Sequence, residues 1–288
     1  MSAVYKRELL SYFNSMIGYV YVAIVMVFIG LYFMAYNLFQ GYPYFAYTLA
    51  NTIVIFTIAT PILTMKSMAE ERKSKTDQML LTYPVSVVGI VMGKFLALMT
   101  VFAVPLLISC ICPIIISIVG SGYMLVDYVA IFAFLCMGCV FVSIGMFISS
   151  LTESQIIAAV ASFGILLVLF LWPSLLSYLP SSALGNGGII ILVVALISLV
   201  LYNISKNILV PIVMNVISVV GVAVWYFVDS GSMAGVLASA LSGFSCTKIY
   251  YNFAMYYSFD LGGLLFFASL TALFLFLTVQ SVQKRRWS

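Results

Sequence analysis

The sequence predicts an all-α protein whose solvent is mostly lipid, and three observations carry that prediction. Of its 288 residues, 65% are hydrophobic and only 7% charged, where a soluble domain is about half apolar and about a quarter charged. The apolar residues fall in long runs such as Ile17 to Ala35, the length that crosses a bilayer. These runs are apolar all round and do not alternate, as the strands of a membrane barrel would. The expected class is therefore a polytopic helical membrane protein.

A span needs about 20 apolar residues. Eight stretches qualify, at 17–39, 45–65, 87–119, 124–150, 156–179, 188–202, 208–228 and 261–282. The run at 87–119 is too long for one simple helix, and Pro105 and Pro113 are placed to kink or break it. The run at 188–202 is the shortest. With eight spans, Lys6, Arg7, Lys66, Arg72, Lys73, Lys75, Lys94, Lys206, Lys284, Arg285 and Arg286 share one side, and Lys248 alone lies on the other. Short loops rich in Lys and Arg stay in the cytoplasm, so both termini are expected there.

Before the first span, residues 1–16 read as an interfacial helix. Tyr5, Leu9, Tyr12, Phe13 and Met16 share one helical face, with Arg7, Glu8, Ser11, Asn14 and Ser15 opposite. Residues 229–260 are external in this topology. They are rich in small residues and tyrosine, which suits short helices at the outer interface.

The most polar stretch is 66–86, where Lys66, Glu70, Glu71, Arg72, Lys73, Lys75 and Asp77 crowd between two apolar runs. Ser67 and Glu70 have the spacing of a capping box, which would start a helix here, and Thr82-Tyr83-Pro84 would end it. Such a helix, with Met79, Leu80 and Leu81 near its end, suits docking into a partner's groove. A solvated loop whose charges fix topology explains the same residues.

Several chemistries are excluded. Gly89 and Gly93 have three residues between them, not four, before Lys94-Phe95, so no phosphate-binding G-x-x-x-x-G-K-[ST] is present. Gly89-x-x-x-Gly93 reads instead as a helix-packing face, with Lys94 snorkelling to the inner interface. The chain has no histidine, so zinc peptidase chemistry lacks its ligands. Cys110, Cys112, Cys136, Cys139 and Cys246 are an odd set lying mainly in apolar runs, better read as small apolar residues than as a disulfide framework or soft-metal site. Asp127, Asp229 and Asp260 fall at predicted outer ends, which excludes an intramembrane aspartyl protease. No acid at mid-bilayer offers a coupling-ion site, and this weighs against a self-powered secondary transporter.

Uncharged polar residues do occur within spans: Asn51, Thr52, Thr57 and Thr60 on the second and Asn215 on the seventh. Helix–helix hydrogen bonding is the simpler role for each.

The segment Ala69 to Phe95, AEERKSKTDQMLLTYPVSVVGIVMGKF, resembles the first cytoplasmic loop of type-2 ATP-binding-cassette permeases. It has the acid-acid-Arg start, the Thr-x-x-x-Leu-Leu middle, the Pro-Val-Ser turn and the Gly-Lys-Phe lead into the next span. Ile144 to Phe163 is similar to the second cytoplasmic turn of that family. Asp260 to Ser288 looks like the C-terminal span and tail of its gliding-motility-like branch. The match is poorest over 181–245.

This resemblance implies one permease domain over 1–288, a six-span core plus two extra spans, in a prokaryotic plasma membrane. It implies a homo- or heterodimer of permeases bound to a separate ATPase subunit. ATP and magnesium would sit on that partner, with no cofactor in this chain. The ATPase-coupling residues carried over are Glu70, Glu71, Arg72, Lys73, Thr76, Asp77, Leu80, Leu81, Thr82 and Pro84, with Glu153 and Ser154 from the second turn. Since the family's second span tends to line the path, Asn51, Thr57 and Thr60 are candidate pathway residues. The expected function is the membrane subunit of an exporter. The alternatives are a non-transporting anchor that transmits force or signal to an envelope complex, and a secondary transporter.

Overall fold

A computed structural model describes residues 2–74, 86–120, 122–205, 209–228, 230–256 and 258–286. Among these residues it is all helix and turn, with no strand. Among the described residues, seven helical segments are long and apolar enough to cross a membrane: Met16–Phe39, Phe45–Lys73, Val87–Val119, Met124–Leu151, Gln155–Ser177, Pro211–Val228 and Leu261–Lys284. The sequence had suggested about eight. The expected run at 188–202 lies within a further apolar helix, Ala183–Ser205, so the eighth expected stretch is helical as well. The chain divides into two compact units, Met1–Phe170 with Cys246–Ser288, and Leu171–Ser245.

The first unit is built around α7 (Met124–Leu151), which is buried on most of its surface. Small residues allow this. A methyl added at Gly138 would collide with the Phe102 ring on α5 (Val87–Ser109), and one at Gly145 with the Thr64 side chain on α3 (Phe45–Thr64). Both helices therefore approach α7 closely, as small residues permit in membranes. A chain of rings runs through the interior. Tyr21 of α2 (Met16–Tyr32) meets Phe102 at 6.5 Å, and Phe102 meets Phe56 at 5.1 Å. Phe56 meets Phe134 at 4.7 Å, and Phe134 meets Tyr250 of α13 (Cys246–Ala254) at 5.2 Å. Five helices are thus pinned by one tilted and edge-on aromatic series, the geometry ring quadrupoles favour. Here α14 (Leu261–Arg286) packs along α7, with Phe147 and Phe274 at 5.9 Å.

The N-terminal helix, α1 (Ser2–Asn14), forms but stops two residues short of the expected 16, and Met16, expected on its apolar face, instead opens α2 and is exposed. Tyr12 is buried, and Leu9 and Phe13 pack on the core. Its polar face is used as well, described below. The long run after the polar segment breaks where its prolines predict. Helix α5 ends at Ser109 and α6 (Ile111–Val119) restarts after Cys110. Pro113 has no N–H to offer the Ser109 carbonyl and crowds it.

At the end of α7 where the helix begins, Asp127 is fully buried, and its Oδ1 accepts the Ala46 N–H at 3.0 Å. A carboxylate at the first turn of α3 satisfies an otherwise orphaned donor and suits the helix dipole. Asn37 closes the same end. It lies in the π-helical turn Phe33–Phe39 that ends the first span, donates to the Tyr42 and Tyr44 carbonyls and accepts the Thr48 hydroxyl at 2.6 Å.

In the second unit, α9 (Ala183–Ser205) and α10 (Leu209–Val228) pack as a pair. Asn215 Nδ2 donates to Ser198 Oγ at 2.8 Å and to its own helix at Pro211 O. This is the interhelical bond expected of a polar residue within a span. The segment 229–260 contains the short helices α11 (Ser230–Met233) and α12 (Val236–Ser242) in this unit, and α13 in the first.

Candidate functional site

The second span does not stop at its apolar end. It continues through Met65 into α4 (Lys66–Lys73), the start of the polar segment. Met65 has helical backbone angles, so the capping-box start expected at Ser67 does not occur. The continuation is held by α7. The Ser149 hydroxyl accepts the N–H of Met68 and of Ala69, each at 3.1 Å, and donates to the Met65 carbonyl at 3.0 Å. The helical pattern is interrupted at Met65, between α3 and α4, and the hydroxyl of another helix caps backbone groups on both sides of that interruption.

Immediately beyond this junction lies a closed ring of four charges. Lys94 Nζ is 3.2 Å from Glu8 Oε1 and 2.9 Å from Glu71 Oε2. Arg7 Nη2 is 2.8 Å from Glu8 and 2.7 Å from Glu71. Each cation touches both carboxylates, and the formal charges cancel. The Lys94 side chain is 1% exposed, and its third N–H goes to the Ser67 carbonyl at 2.8 Å. The expectation that Lys94 snorkels to the interface is thus overturned. An ammonium with three acceptors in reach is better solvated by the protein than by extension to the surface.

The ring binds three helices that the chain does not connect closely: α1 through Arg7 and Glu8, α4 through Ser67 and Glu71, and α5 through Lys94. A further contact, Tyr5 Oη to Thr100 Oγ1 at 3.1 Å, continues the α1–α5 seam. Burial alone would push the Glu8 carboxyl up, but the Lys94 ammonium and the Arg7 guanidinium outweigh it and hold it below its ordinary range. The hydrogen bond to Glu8 raises Arg7 further. Both residues are therefore ionised at neutral pH. The ring borders a polar cavity of about 360 Å³.

The coupling residues expected from the sequence divide accordingly. Glu70, Glu71, Arg72 and Lys73 lie on α4, with Glu70 paired to Lys66 at 3.3 Å and Glu71 turned into the ring. Thr76, Asp77, Leu80, Leu81, Thr82 and Pro84 lie outside the described residues. Glu153 and Ser154 form the turn between α7 and α8 (Gln155–Ser177), where the Thr152 hydroxyl donates to the Ser154 carbonyl. That turn belongs to the same end of the unit, because Ser149 touches α4 and the Ser281 hydroxyl of α14 donates to the Ser150 carbonyl.

Of the candidate pathway residues, Thr57 and Thr60 are fully buried inside the unit, with hydroxyls bonded back to Ile53 O and Phe56 O. Asn51 is on the opposite, partly open face of α3, and its amide donates to Tyr47 O. Arg7, Glu8, Lys94 and Ser149 were not among the predicted site residues. Lys94 carried a usable signal, since a lone charge eight residues into an apolar helix should have a partner.

The first unit is therefore a helical membrane bundle with its ionic chemistry gathered at one end, around the root of a polar segment that leaves the second span. The family model for ABC-2 family transporter proteins matches residues 3–186, more than half of the chain. This chain belongs to that family, as a membrane permease of an ATP-binding-cassette transporter. Such permeases normally work with a separate ATPase. No curated protein matches the chain.

Proposed function

We propose that this chain is the permease subunit of an exporter in a prokaryotic plasma membrane, working as a dimer on ATP hydrolysed by a separate cassette subunit. The observation that supports this best is the gathering of charge at one end of the first unit. Arg7, Lys66, Arg72, Lys73, Lys94 and Lys284 lie at or beside the Ser149–Met65 and Ser281–Ser150 contacts. Lys248 lies on α13, which packs against the outer half of α7 through Phe134. The positive end is the cytoplasmic one by the charge rule, with both termini there. The polar segment 66–86 is then the coupling element, with Glu70, Arg72, Lys73, Thr76, Asp77, Leu80, Leu81, Thr82 and Pro84 presented to the ATPase. Glu153 and Ser154 form a second, smaller contact. Magnesium and ATP reside on the partner.

Asn51 supports the transport reading more than Thr57 or Thr60, because only it reaches an open face of the second span. The C-terminal resemblance to the gliding-motility-like branch favours a second reading, a pair that transmits force to an envelope complex without moving a solute. Affinity purification of the chain from native membranes in mild detergent tests the first claim. A stoichiometric partner carrying G-x-x-x-x-G-K-[ST] is expected. A clean preparation with no such chain, repeated across detergents, contradicts it.

A further inference from the structure

We infer that Lys94 is a positioning residue for coupling, and that its ion ring makes the N-terminal helix part of the moving element. This rests on the coupling role proposed for 66–86. The root of that segment is gripped twice. From α7, Ser149 holds Met65, Met68 and Ala69. From α5, Lys94 holds the backbone of Ser67 and the carboxylate of Glu71. Glu71 is therefore an anchor, its carboxylate committed inward, in contrast to its neighbour Glu70, which is 45% exposed.

The same ammonium and the Arg7 guanidinium tie Glu8, and with it α1, into that grip. Four contacts among four residues, closed into a ring, leave no single contact that opens alone. Moving α4 away from α1 breaks the Arg7–Glu71 pair and strips Glu8–Lys94 of its shared counter-charges. Moving α4 away from α5 leaves a buried ammonium short of an acceptor, the costliest arrangement available here. The lowest-energy response to a push on 66–86 is for α1, α4 and the first turns of α5 to shift as one body. The push then enters the membrane along two spans, α3 and α5, and through α1 along the Tyr5–Thr100 seam.

Cross-linking reads this directly. Ser11 on α1 and Ser74 just after α4 line the same cavity beside the ring. In a chain with its five native cysteines replaced by alanine, Ser11→Cys with Ser74→Cys should be joined rapidly by a short, reducible bis-maleimide that spans the cavity. Adding Lys94→Met should slow that reaction at least tenfold, and Lys94→Arg should restore it to within about threefold. Equal rates with Lys94 and with Met overturn the clasp, whether or not any ATPase is bound. In the purified complex, the cross-linked chain should support ATP turnover within twofold of the reduced form, because α1 and α4 travel together. A block of turnover relieved by reductant overturns the one-body inference. Lys94→Met should keep its ATPase on purification yet lose at least tenfold of the stimulation the permease gives it, and unchanged stimulation overturns the positioning role. If the wild-type chain brings down no ATPase while the cross-linking pattern holds, the clasp stands as structure and the coupling reading is what fails.

Discussion

The hydroxyl of Ser149 donates to the carbonyl of Met65 at 3.0 Å, and so a residue near the end of α7 holds the junction between α3 and α4. Two further backbone donors, Met68 and Ala69, converge on the same oxygen. Ser149→Ala removes all three bonds. A buried donor left unmade costs about 1–3 kcal/mol. Amide exchange at Met68 and Ala69 should rise at least tenfold while the middle of α7 stays protected. Unchanged exchange would show that the hydroxyl is dispensable.

The ring predicts an asymmetry between partial and complete removal. Lys94→Met alone leaves two carboxylates sharing the half-exposed Arg7, and breaking one member of a buried ion network costs about 3–5 kcal/mol. Replacing Arg7, Glu8, Glu71 and Lys94 together by apolar residues of similar size should cost far less, since no buried charge remains. Thermal unfolding in detergent, followed by thiol accessibility of Cys246, which is buried, separates the two. A quadruple variant less stable than the single one would contradict the account.

The pH dependence has a definite sign. The Glu8 carboxyl titrates below its ordinary value of 4.5. A depressed carboxyl contributes stability that is fully present above its unfolded value and is lost as pH falls through its folded one. The α1–α4 contact should thus be insensitive between neutral pH and about 5, then weaken in more acid solution. Ser11–Ser74 proximity, read by spin labels across that range, is the check. A chain with Glu8→Gln and Glu71→Gln should show a looser contact that no longer responds to acid.

Gly138 and Gly145 set how closely α5 and α3 approach α7. Gly138→Leu must push against the Phe102 ring, itself locked between Tyr21 and Phe56. Overpacking of this kind costs about 1–3 kcal/mol or more. Gly164, which has open space around it, should accept alanine with no loss. Monodispersity and unfolding temperature of the two variants report the difference.

Much of this was legible in the sequence, for physical reasons that differ by element. The spans follow from composition, because an apolar run of this length has no other stable solvent. The break near Cys110 follows from Pro113, and α1 follows from the spacing of Leu9, Tyr12 and Phe13. That Lys94 needs a partner was legible, but the partners that form its ring were not. Glu8 lies 86 positions away from Lys94, and nothing local says that a lysine will fold inward when three acceptors await it. The Ser67–Glu70 spacing misled because a capping box matters only where a helix begins, and here Ser149, 81 positions from Met68, supplies the satisfaction a cap would give. Thr57, Thr60 and Asn51 looked alike as polar residues in one span, and only packing separates the buried faces from the open one. Cysteine at 51 should therefore react with a membrane-impermeant maleimide if that face lines a wet path, while cysteine at 57 or 60 stays unlabelled.

The central claim is that an ATPase grips this chain through the segment that begins at α4. It is tested most directly by purifying the wild-type chain beside a Leu80→Asp, Leu81→Asp double variant, with membrane insertion verified for both. Two charges in place of docked leucines should remove the ATPase from the variant preparation while the wild type retains it in stoichiometric amount, each buried leucine being worth about 1–3 kcal/mol. An ATPase that stays with the double variant would contradict the account.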